Sequence, residues 1–388
     1  MNLSKHWAGT LDDYAIDLAW SPDGQILAAA SAAGGITLFD ASGTVRHVLA
    51  GHENGTNCLA WLPSAVRRVV PHAPGFATSD ERRIEDDFPY LLATGGQDGC
   101  VRFWDAATGK QTAEVKLGSA WVEHLAWQPA GTQPTAPDSQ LLFAAAGKKL
   151  VALRSDGSIA HSFPDAPKTI SALAFSPLST LLPGGAQEKP RESGSQPRSN
   201  SQPLLAAACF GHVALWDPVT FAAQKEFPYG NAILALTWSP DGRWLVAGCH
   251  DNSVHLWVPA EDLELHMSGY ETKLQELSFS RDSKWLATGG GRDACVWDCT
   301  GAGPEGREPL LLSHEARVVA VAFQHEHSLL ATGAANGEFR LWATTRKNPL
   351  IAEVKMPAAA TKFAWSPDDF LLAVGTEKGS VFVFKLDN

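Results

Sequence analysis

Ala19-Trp20-Ser21-Pro22 is the first complete copy of a motif that recurs along the chain of 388 residues. The motif is a small residue, an aromatic residue, any residue and then proline, and we call its aromatic residue the anchor. Two degenerate copies lack the proline, at 278–281 and 322–325. A motif repeated at regular spacing decides the architecture before any single site is considered. The complete copies are Ala19–Pro22, Ala60–Pro63, Ala126–Pro129, Ala174–Pro177, Thr237–Pro240 and Ala364–Pro367.

The spacing between anchors predicts one four-stranded unit per copy of the motif. Four of the seven steps lie between 41 and 44 residues, the length of one propeller blade, and three are longer. Short apolar runs such as 26–30 and 329–332, each bordered by Gly, Asp or Asn, predict strands joined by tight turns. The chain is therefore predicted to be all-β, a closed eight-bladed β-propeller. Seven blades is the alternative if the third unit, where Leu153 replaces a second aromatic residue, is merged with its neighbour.

The second unit contains a recognisable set of polar and aromatic residues: Gly51-His52, Thr94, Asp98 and Trp104. This pattern resembles the WD-repeat family of β-propellers, and the resemblance covers essentially the whole chain. It implies that His52, Thr94 and Asp98 form a hydrogen-bonded tetrad with Trp104. We expect its role to be structural, because buried polar groups need partners. The seventh unit carries a partial version in His314, Thr332, Asn336 and Trp342.

The two ends of the chain together make up one ordinary repeat. The chain stops on a predicted third strand, 380–385, with no outer strand after it. The segment 3–8 precedes the first anchor, as an outer strand would. We therefore expect the N-terminal strand to complete the last blade, since this closure leaves no inner sheet edge open.

Composition limits the classes of function. The net charge of −11 argues against a protein that reads nucleic-acid phosphates, which would be basic. No apolar run approaches the ~18 residues of a membrane helix, and residues 1–10 lack the apolar core of a signal peptide. Six cysteines without a pairing pattern predict reduced thiols. These features predict a cytoplasmic protein with no membrane insertion and no cofactor.

The extra length falls in three insertions, 64–90, 130–139 and 178–203, within a single domain that spans 1–388. Each lies between an anchor and the next strand, so all three should leave the same face of consecutive blades. The first insertion mixes apolar and charged residues, and Arg82, Arg83 and Phe88 are candidate partner contacts there, because long ordered loops are often functional. The alternative for this insertion is that it folds onto the propeller face. The segment 183–203 is a low-complexity linker, for which a tolerated surface insertion is the alternative.

The opposite face carries the loops that enter the inner strands. Exposed Trp, Tyr and Arg side chains are common binding hot spots, and WD-repeat proteins commonly use this face to hold partners. Trp121 is the strongest single candidate, although packing between blades is an alternative. The candidates on this face are Tyr14, Trp121, Tyr229, Tyr270 and Arg317.

Two clusters are weak candidates for metal ligation. Asp17, Cys58 and His124 lie three residues before their anchors on consecutive inner strands, and these residue types suit zinc or nickel. They would lie a blade apart, and Lys362 could neutralise Asp17. The second cluster lies at neighbouring turns, where strand alternation would separate some of its members. Its members are Cys209, His212, Cys249 and His250.

No nucleophile elbow, phosphate-binding loop or His-Glu-x-x-His motif is present in the sequence. The sequence therefore predicts a protein that is not an enzyme. The leading hypothesis is a scaffold for protein–protein interactions within a cytosolic complex. Under this hypothesis the protein is a monomeric propeller that binds other proteins or extended peptides and binds no nucleic acid. The alternative is a metal-binding or hydrolytic propeller that uses the two clusters above.

Overall fold

The structure is a computed structural model, and it describes residues 2–63, 90–130, 140–178 and 202–387. Within these ranges the regular structure is entirely β. Blade one contains β2 (Ala15–Trp20), β3 (Ile26–Ser31), β4 (Ile36–Asp40) and β5 (Val45–Leu49). Blade two contains β6 (Thr56–Trp61), β7 (Leu91–Gly96), β8 (Cys100–Asp105) and β9 (Lys110–Lys116). Blade three contains β10 (Val122–Trp127), β11 (Leu142–Ala146), β12 (Lys149–Leu153) and β13 (Ile159–Ser162). Blade four contains β14 (Ile170–Phe175), β15 (Leu205–Cys209), β16 (His212–Trp216) and β17 (Ala223–Pro228).

The second half of the chain continues the same pattern. Blade five contains β18 (Ile233–Trp238), β19 (Leu245–Cys249), β20 (Val254–Val258) and β21 (Leu263–Met267). Blade six contains β22 (Leu277–Phe279), β23 (Trp285–Thr288), β24 (Asp293–Asp298) and β25 (Leu310–Ser313). Blade seven contains β26 (Val318–Phe323), β27 (Leu329–Ala334), β28 (Glu338–Ala343) and β29 (Leu350–Lys355). Blade eight contains β30 (Ala360–Trp365), β31 (Leu371–Thr376), β32 (Ser380–Asp387) and β1 (Asn2–Thr10).

The eight sheets close into a ring. Each sheet is antiparallel and four-stranded, and the inner strand of each blade contacts the inner strand of the next, with β30 returning to β2. The predicted eight-bladed propeller is confirmed, and so is the N-terminal closure, because β1 pairs along β32. The third unit is a complete blade in which Leu153 is fully buried. The alternative of seven blades is wrong.

Apolar side chains fill the spaces between blades. One cluster, for example, joins Ala28 and Leu38 of blade one to Trp61 and Leu92 of blade two. The strands of a single blade could not bury both faces alone, so each blade depends on its neighbours for its core.

In blades one, five, six and eight, a serine–aspartate turn follows the anchor and ends the inner strand. Ser21 Oγ donates a hydrogen bond of 2.6 Å to Asp23 Oδ1 and accepts one from the Ile26 amide. Gly24 follows with a φ of 72°, which glycine adopts without steric cost. The same serine–aspartate pair recurs at 239 and 241, 280 and 282, and 366 and 368. This turn directs the chain back along the second strand.

Seven of the eight inner strands contain a β-bulge that the sequence pattern did not reveal. In blade one, Ala15 pairs with Ser31 and Asp17 with Ala30, so Ile16 has no partner on the second strand. The same shift occurs at the equivalent position in every blade except blade six. Because a bulge breaks strict strand alternation, the side chains near the channel cannot be assigned from alternation alone.

Candidate functional site

The upper face of the propeller carries the loops that lead into the inner strands and the turns between second and third strands. The lower face carries the connections between first and second strands. On the upper face, the residue six positions before each anchor lies at the mouth of the central channel, because it precedes the inner strand. In blade order these residues are Tyr14, Gly55, Trp121, Thr169, Ala232, Lys273, Arg317 and Ala359.

Trp121 is the more exposed of the two aromatic residues in this ring. All fourteen tryptophans lie within the described residues, and Trp121 alone is exposed, at 50%. Its neighbour Val122 is fully buried, which holds the backbone at the start of β10. The preceding loop is held from two sides: the Leu117 amide donates to the Gly99 carbonyl, and Lys149 Nζ donates to the Leu117 carbonyl, both at 2.9 Å. The structure therefore presents a large apolar side chain on an anchored loop.

Tyr14 and Arg317 lie on the same ring. Tyr14 is 37% exposed, and burial, with a smaller contribution from Glu377, raises the pKa of its hydroxyl. Arg317 is exposed and forms no ion pair with any residue that the structure describes. Blades three and seven are four apart in a ring of eight, so Trp121 and Arg317 lie on opposite sides of the channel mouth.

Tyr229 and Tyr270 have a different position from the other three candidates. Each lies nine residues before its anchor, where blade two has His52, and each is half-buried. The Tyr229 hydroxyl donates a hydrogen bond of 2.6 Å to Asp251 Oδ2, and the Tyr270 hydroxyl accepts one from Thr288 at 3.2 Å. Burial raises the pKa of both phenols. Their polar groups are therefore used within blades five and six.

The four residues of the tetrad in blade two are joined by hydrogen bonds. His52 Nδ1 lies 2.9 Å from Asp98 Oδ1, and His52 Nε2 lies 2.8 Å from Thr94 Oγ1. Trp104 Nε1 donates to Thr94 Oγ1 at 3.0 Å. Burial lowers the pKa of His52, which favours a neutral ring that donates from Nδ1 and accepts at Nε2. Sequence reasoning missed Arg102, whose Nη1 donates to Asp98 Oδ2 and to the Gly51 carbonyl, both at 2.7 Å.

In blade seven the expected member Asn336 is replaced by Glu338. His314 Nε2 lies 2.8 Å from Thr332 Oγ1, as in blade two, but His314 Nδ1 lies 3.2 Å from Glu338 Oε2. Asn336 Oδ1 instead accepts the backbone amide of Glu338. The longer glutamate side chain reaches back to the histidine from the first residue of β28. The assignment of Asn336 to this tetrad was therefore wrong.

The first candidate metal cluster is not assembled. Asp17 Oδ1 pairs with Lys362 Nζ at 3.1 Å, and Asp17 Oδ2 accepts the Leu59 amide at 3.0 Å. Cys58 is buried, and burial raises the pKa of its thiol. Burial lowers the pKa of His124 to about 4. Within the described ranges, no three His, Cys, Asp or Glu side chains converge in a way that could hold a metal ion.

The second candidate cluster also fails to converge. Cys209 Sγ lies 3.5 Å from His212 Nδ1, across the strand pair of β15 and β16. In the next blade Cys249 is fully buried, whereas the adjacent His250 is exposed. Cys249 is the last residue of β19 and His250 begins the turn that follows, so the two side chains lie in different environments.

Most of each insertion lies outside the described residues. The same holds for three of the predicted partner-contact residues, Arg82, Arg83 and Phe88. The residues that flank the insertions lie at connections between first and second strands, on the lower face. One of them, Tyr90, donates a hydrogen bond of 2.6 Å from its hydroxyl to Asp23 Oδ2 of blade one.

A family model described as "WD domain, G-beta repeat" matches residues 43–105, 224–258, 263–298 and 308–343. The chain belongs to the WD-repeat family. A second model, "Anaphase-promoting complex subunit 4 WD40 domain", matches residues 1–64 of this WD-repeat chain. The described residues contain no helix that is long and apolar enough to cross a bilayer.

Curated relatives match less than half of the chain. It is 26% identical over 167 residues to WD repeat-containing protein srw1 of Schizosaccharomyces pombe, covering 42% of this chain and 30% of that protein. It is 26% identical over 204 residues to Elongator complex protein 2 of Dictyostelium discoideum, covering 44% and 21%. It is also 26% identical over 198 residues to the Protein LST8 homolog of Drosophila melanogaster, covering 48% and 60%. The matches therefore span between a fifth and three fifths of these relatives.

Solved structures match the whole ring. The Dos1 propeller superposes with a TM-score of 0.71 at 17% identity, covering all of this chain and 95% of that one. The computationally designed Ika8 protein superposes with a TM-score of 0.67, also at 17% identity, covering 97% and 98%. At this level of identity the likeness shows the fold alone.

Proposed function

We propose that this protein is a non-catalytic WD-repeat scaffold that holds a partner protein on its upper face within a cytosolic complex. The observation that carries the proposal is the exposure of Trp121 on an anchored loop at the channel mouth. A large aromatic side chain half in water is costly unless a partner covers it, and tryptophan is the residue type most enriched in binding hot spots.

The position of Arg317 indicates how a partner would lie. An extended peptide that crosses the channel mouth from blade three to blade seven would meet Trp121 at one end and, at the other, the Arg317 guanidinium, which has no ion pair within the described residues. Such a peptide would place an apolar side chain against the indole and an acidic group against Arg317. The rigid ring would fix the angle at which the partner is held.

The names of the relatives are consistent with this role. Elongator complex protein 2 is named as part of a complex, and the family model describes a WD repeat rather than a catalytic domain. The pair of Asp17 and Lys362 supports a non-catalytic channel, because the ammonium neutralises the carboxylate that a metal would need.

The test compares proteins that co-purify with wild type, with Trp121→Ala and with Ile159→Ala. Ile159 is the matched control, since it is 51% exposed on the outer strand of the same blade. We expect a defined set of partners to be lost with Trp121→Ala and retained with Ile159→Ala. Arg317→Ala should weaken the same set.

Two results would count against the proposal. Identical partners for all three proteins would remove the upper face as the docking surface. Stoichiometric bound metal in the purified protein, with no partner, would favour the metal-binding alternative.

A further inference from the structure

A recess lies at the lower mouth of the channel, on the face opposite Trp121. It is a cavity of about 710 Å³, within the size range of ligand pockets. Its wall comes from blades five to eight and blade one, whereas the three insertions leave the same face from blades two to four. The aromatic residues of the wall are Trp20, Trp238, Phe279, Phe323, Phe363 and Trp365.

The aromatic wall offers ring surfaces rather than polar groups. The indole nitrogens of Trp20, Trp238 and Trp365 all donate to backbone carbonyls of the preceding blade, at 3.0 to 3.2 Å. Their hydrogen-bonding capacity is therefore used within the protein. What remains for a ligand is the small exposed part of each ring, since all six rings are at least nine-tenths buried. The face of an aromatic ring has a negative electrostatic potential that attracts cations.

The basic side chains that line the cavity already have carboxylate partners. Arg281 forms an ion pair with Glu326, and His325 Nδ1 lies 3.1 Å from Asp369 Oδ1. Neither basic residue is left to attract an anionic ligand.

Three aspartate side chains lie at the rim of the cavity. Pro240 and Pro367 line the cavity, and Asp241 and Asp368 follow them directly. Asp23 occupies the same position in blade one, in a turn that abuts Pro367, since a Cβ added at Gly24 would lie 3.3 Å from the proline ring. Within the described residues, none of these three aspartates forms an ion pair. The rim thus adds negative charge around an aromatic recess, in a protein of net charge −11.

We propose that the lower mouth is a docking site for a lysine- or arginine-bearing segment of a partner protein. The alkyl stem of the basic side chain lies along the aromatic wall, and its charge meets Asp23, Asp241 and Asp368. Long basic side chains bury their stems on apolar surfaces while their charge stays in a polar environment. Complementary charge around the recess then favours encounter with basic segments over acidic ones.

The test uses a hexalysine peptide as the probe and hexaglutamate as its charge-reversed control. Protein labelled with 5-fluorotryptophan gives separate fluorine NMR signals for the two faces. Trp→Phe variants at positions 20, 238 and 365 assign the lower signals, since phenylalanine already occupies the anchor position in blades six and seven. We expect hexalysine to shift the signals of Trp20, Trp238 and Trp365 and to leave that of Trp121 unchanged.

A matched pair of triple variants separates the site from general charge attraction. Hexalysine binding should weaken by about tenfold in the triple variant that combines Asp23→Asn, Asp241→Asn and Asp368→Asn. Asparagine keeps a side-chain oxygen for the serine hydroxyl of each turn. The control triple Asp12→Asn, Asp13→Asn and Glu377→Gln changes net charge equally, but on the upper face, and should leave binding within about twofold. If the lower-face triple unfolds, the single variants Asp241→Asn and Asp368→Asn replace it.

Three outcomes would overturn the proposal: no shift at millimolar hexalysine, a shift confined to Trp121, or equal weakening by both triples. Binding of hexaglutamate at the lower signals would also overturn it. The proposal does not rest on the upper face, so Trp121→Ala should leave hexalysine binding unchanged.

Discussion

The indole nitrogen of Trp20 in the first blade donates a hydrogen bond of 3.0 Å to the carbonyl oxygen of Ala364 in the last blade. The two residues are 344 positions apart in the chain, so this bond helps to close the ring. Trp61 makes the equivalent bond to Ala19 at 2.9 Å, one blade further on. Each anchor tryptophan thus joins its blade to the one before it.

Replacing Trp20 with phenylalanine should keep the ring packed while removing this bond. Trp20→Phe leaves the Ala364 carbonyl without its partner, so we expect the free energy of unfolding to fall by about 1 kcal/mol. Chemical denaturation measures the change. The control is Trp121→Phe, which removes an exposed indole that forms no hydrogen bond with any described residue and should change stability by less than about 0.5 kcal/mol. Equal effects would show that the closing bond contributes nothing.

The corrected tetrad of blade seven can be tested by two alanine variants. Glu338→Ala leaves His314 Nδ1 and the Glu315 amide without their acceptor in a buried site, which should cost about 2 kcal/mol of unfolding free energy. Asn336→Ala removes a half-buried acceptor that water can replace, so its cost should stay below about 1 kcal/mol. A larger loss for Asn336→Ala in denaturation experiments would contradict the structure.

Blade five contains a buried donor that could be given a partner. Trp257 is 1% exposed and its Nε1 has no hydrogen-bond partner among the residues that the structure describes, because Ala247 stands where blade two has Thr94. Blade six has Thr288 and Tyr270 at the positions that Ala247 and Tyr229 occupy in blade five, and their hydroxyls are hydrogen-bonded. A threonine can therefore be accommodated beside a tyrosine at these positions. We expect Ala247→Thr to be more stable than Ala247→Val by about 1 kcal/mol. Since valine has the shape of threonine without its hydroxyl, equal stabilities would mean that the hydroxyl does not reach the indole.

The stability of the protein should fall in mild acid, partly through His124. Burial lowers the pKa of this residue to about 4, so the folded state binds the proton more weakly than the unfolded chain does. The stabilisation is fully present above the unfolded value near pH 6.5 and is lost as the pH falls toward 4. His124→Gln should therefore reduce the loss of unfolding free energy between about pH 7.5 and about pH 5.5 by about 1 kcal/mol.

The control for this pH dependence is His250→Gln, at an exposed position. Its pH profile should match that of wild type. If His124→Gln also matched wild type, the half-buried imidazole would not be the source of the loss.

The number of blades and the closure by β1 were predictable from the sequence, because both follow from local repetition. Each copy of the motif, from Trp20 to Trp365, marks the end of an inner strand, and the two chain ends make up one repeat. The exposure of Trp121 was a sequence hypothesis that rested on its position before β10. The β-bulges were not predictable, since a bulge adds one residue without a change in residue type.

The hydrogen-bonded tetrads show which contacts can be predicted from spacing along the sequence and which cannot. His314 and Thr332 were placed correctly, because His314 precedes its anchor by nine residues, as His52 does, and Thr332 precedes Trp342 by ten, as Thr94 precedes Trp104. The choice between Asn336 and Glu338 depends on how far each side chain reaches across the sheet.

The sequence by itself determined an eight-bladed ring with its N-terminal strand in the last blade, because hydrophobic periodicity and turn residues act over one repeat length. Only the tertiary structure decided which carboxylate pairs with His314, that Tyr229 bonds within its own blade, and that Trp20 reaches Ala364. These contacts join residues from different strands or blades. Their formation depends on differences of a few ångströms in side-chain reach, which spacing along the chain does not specify.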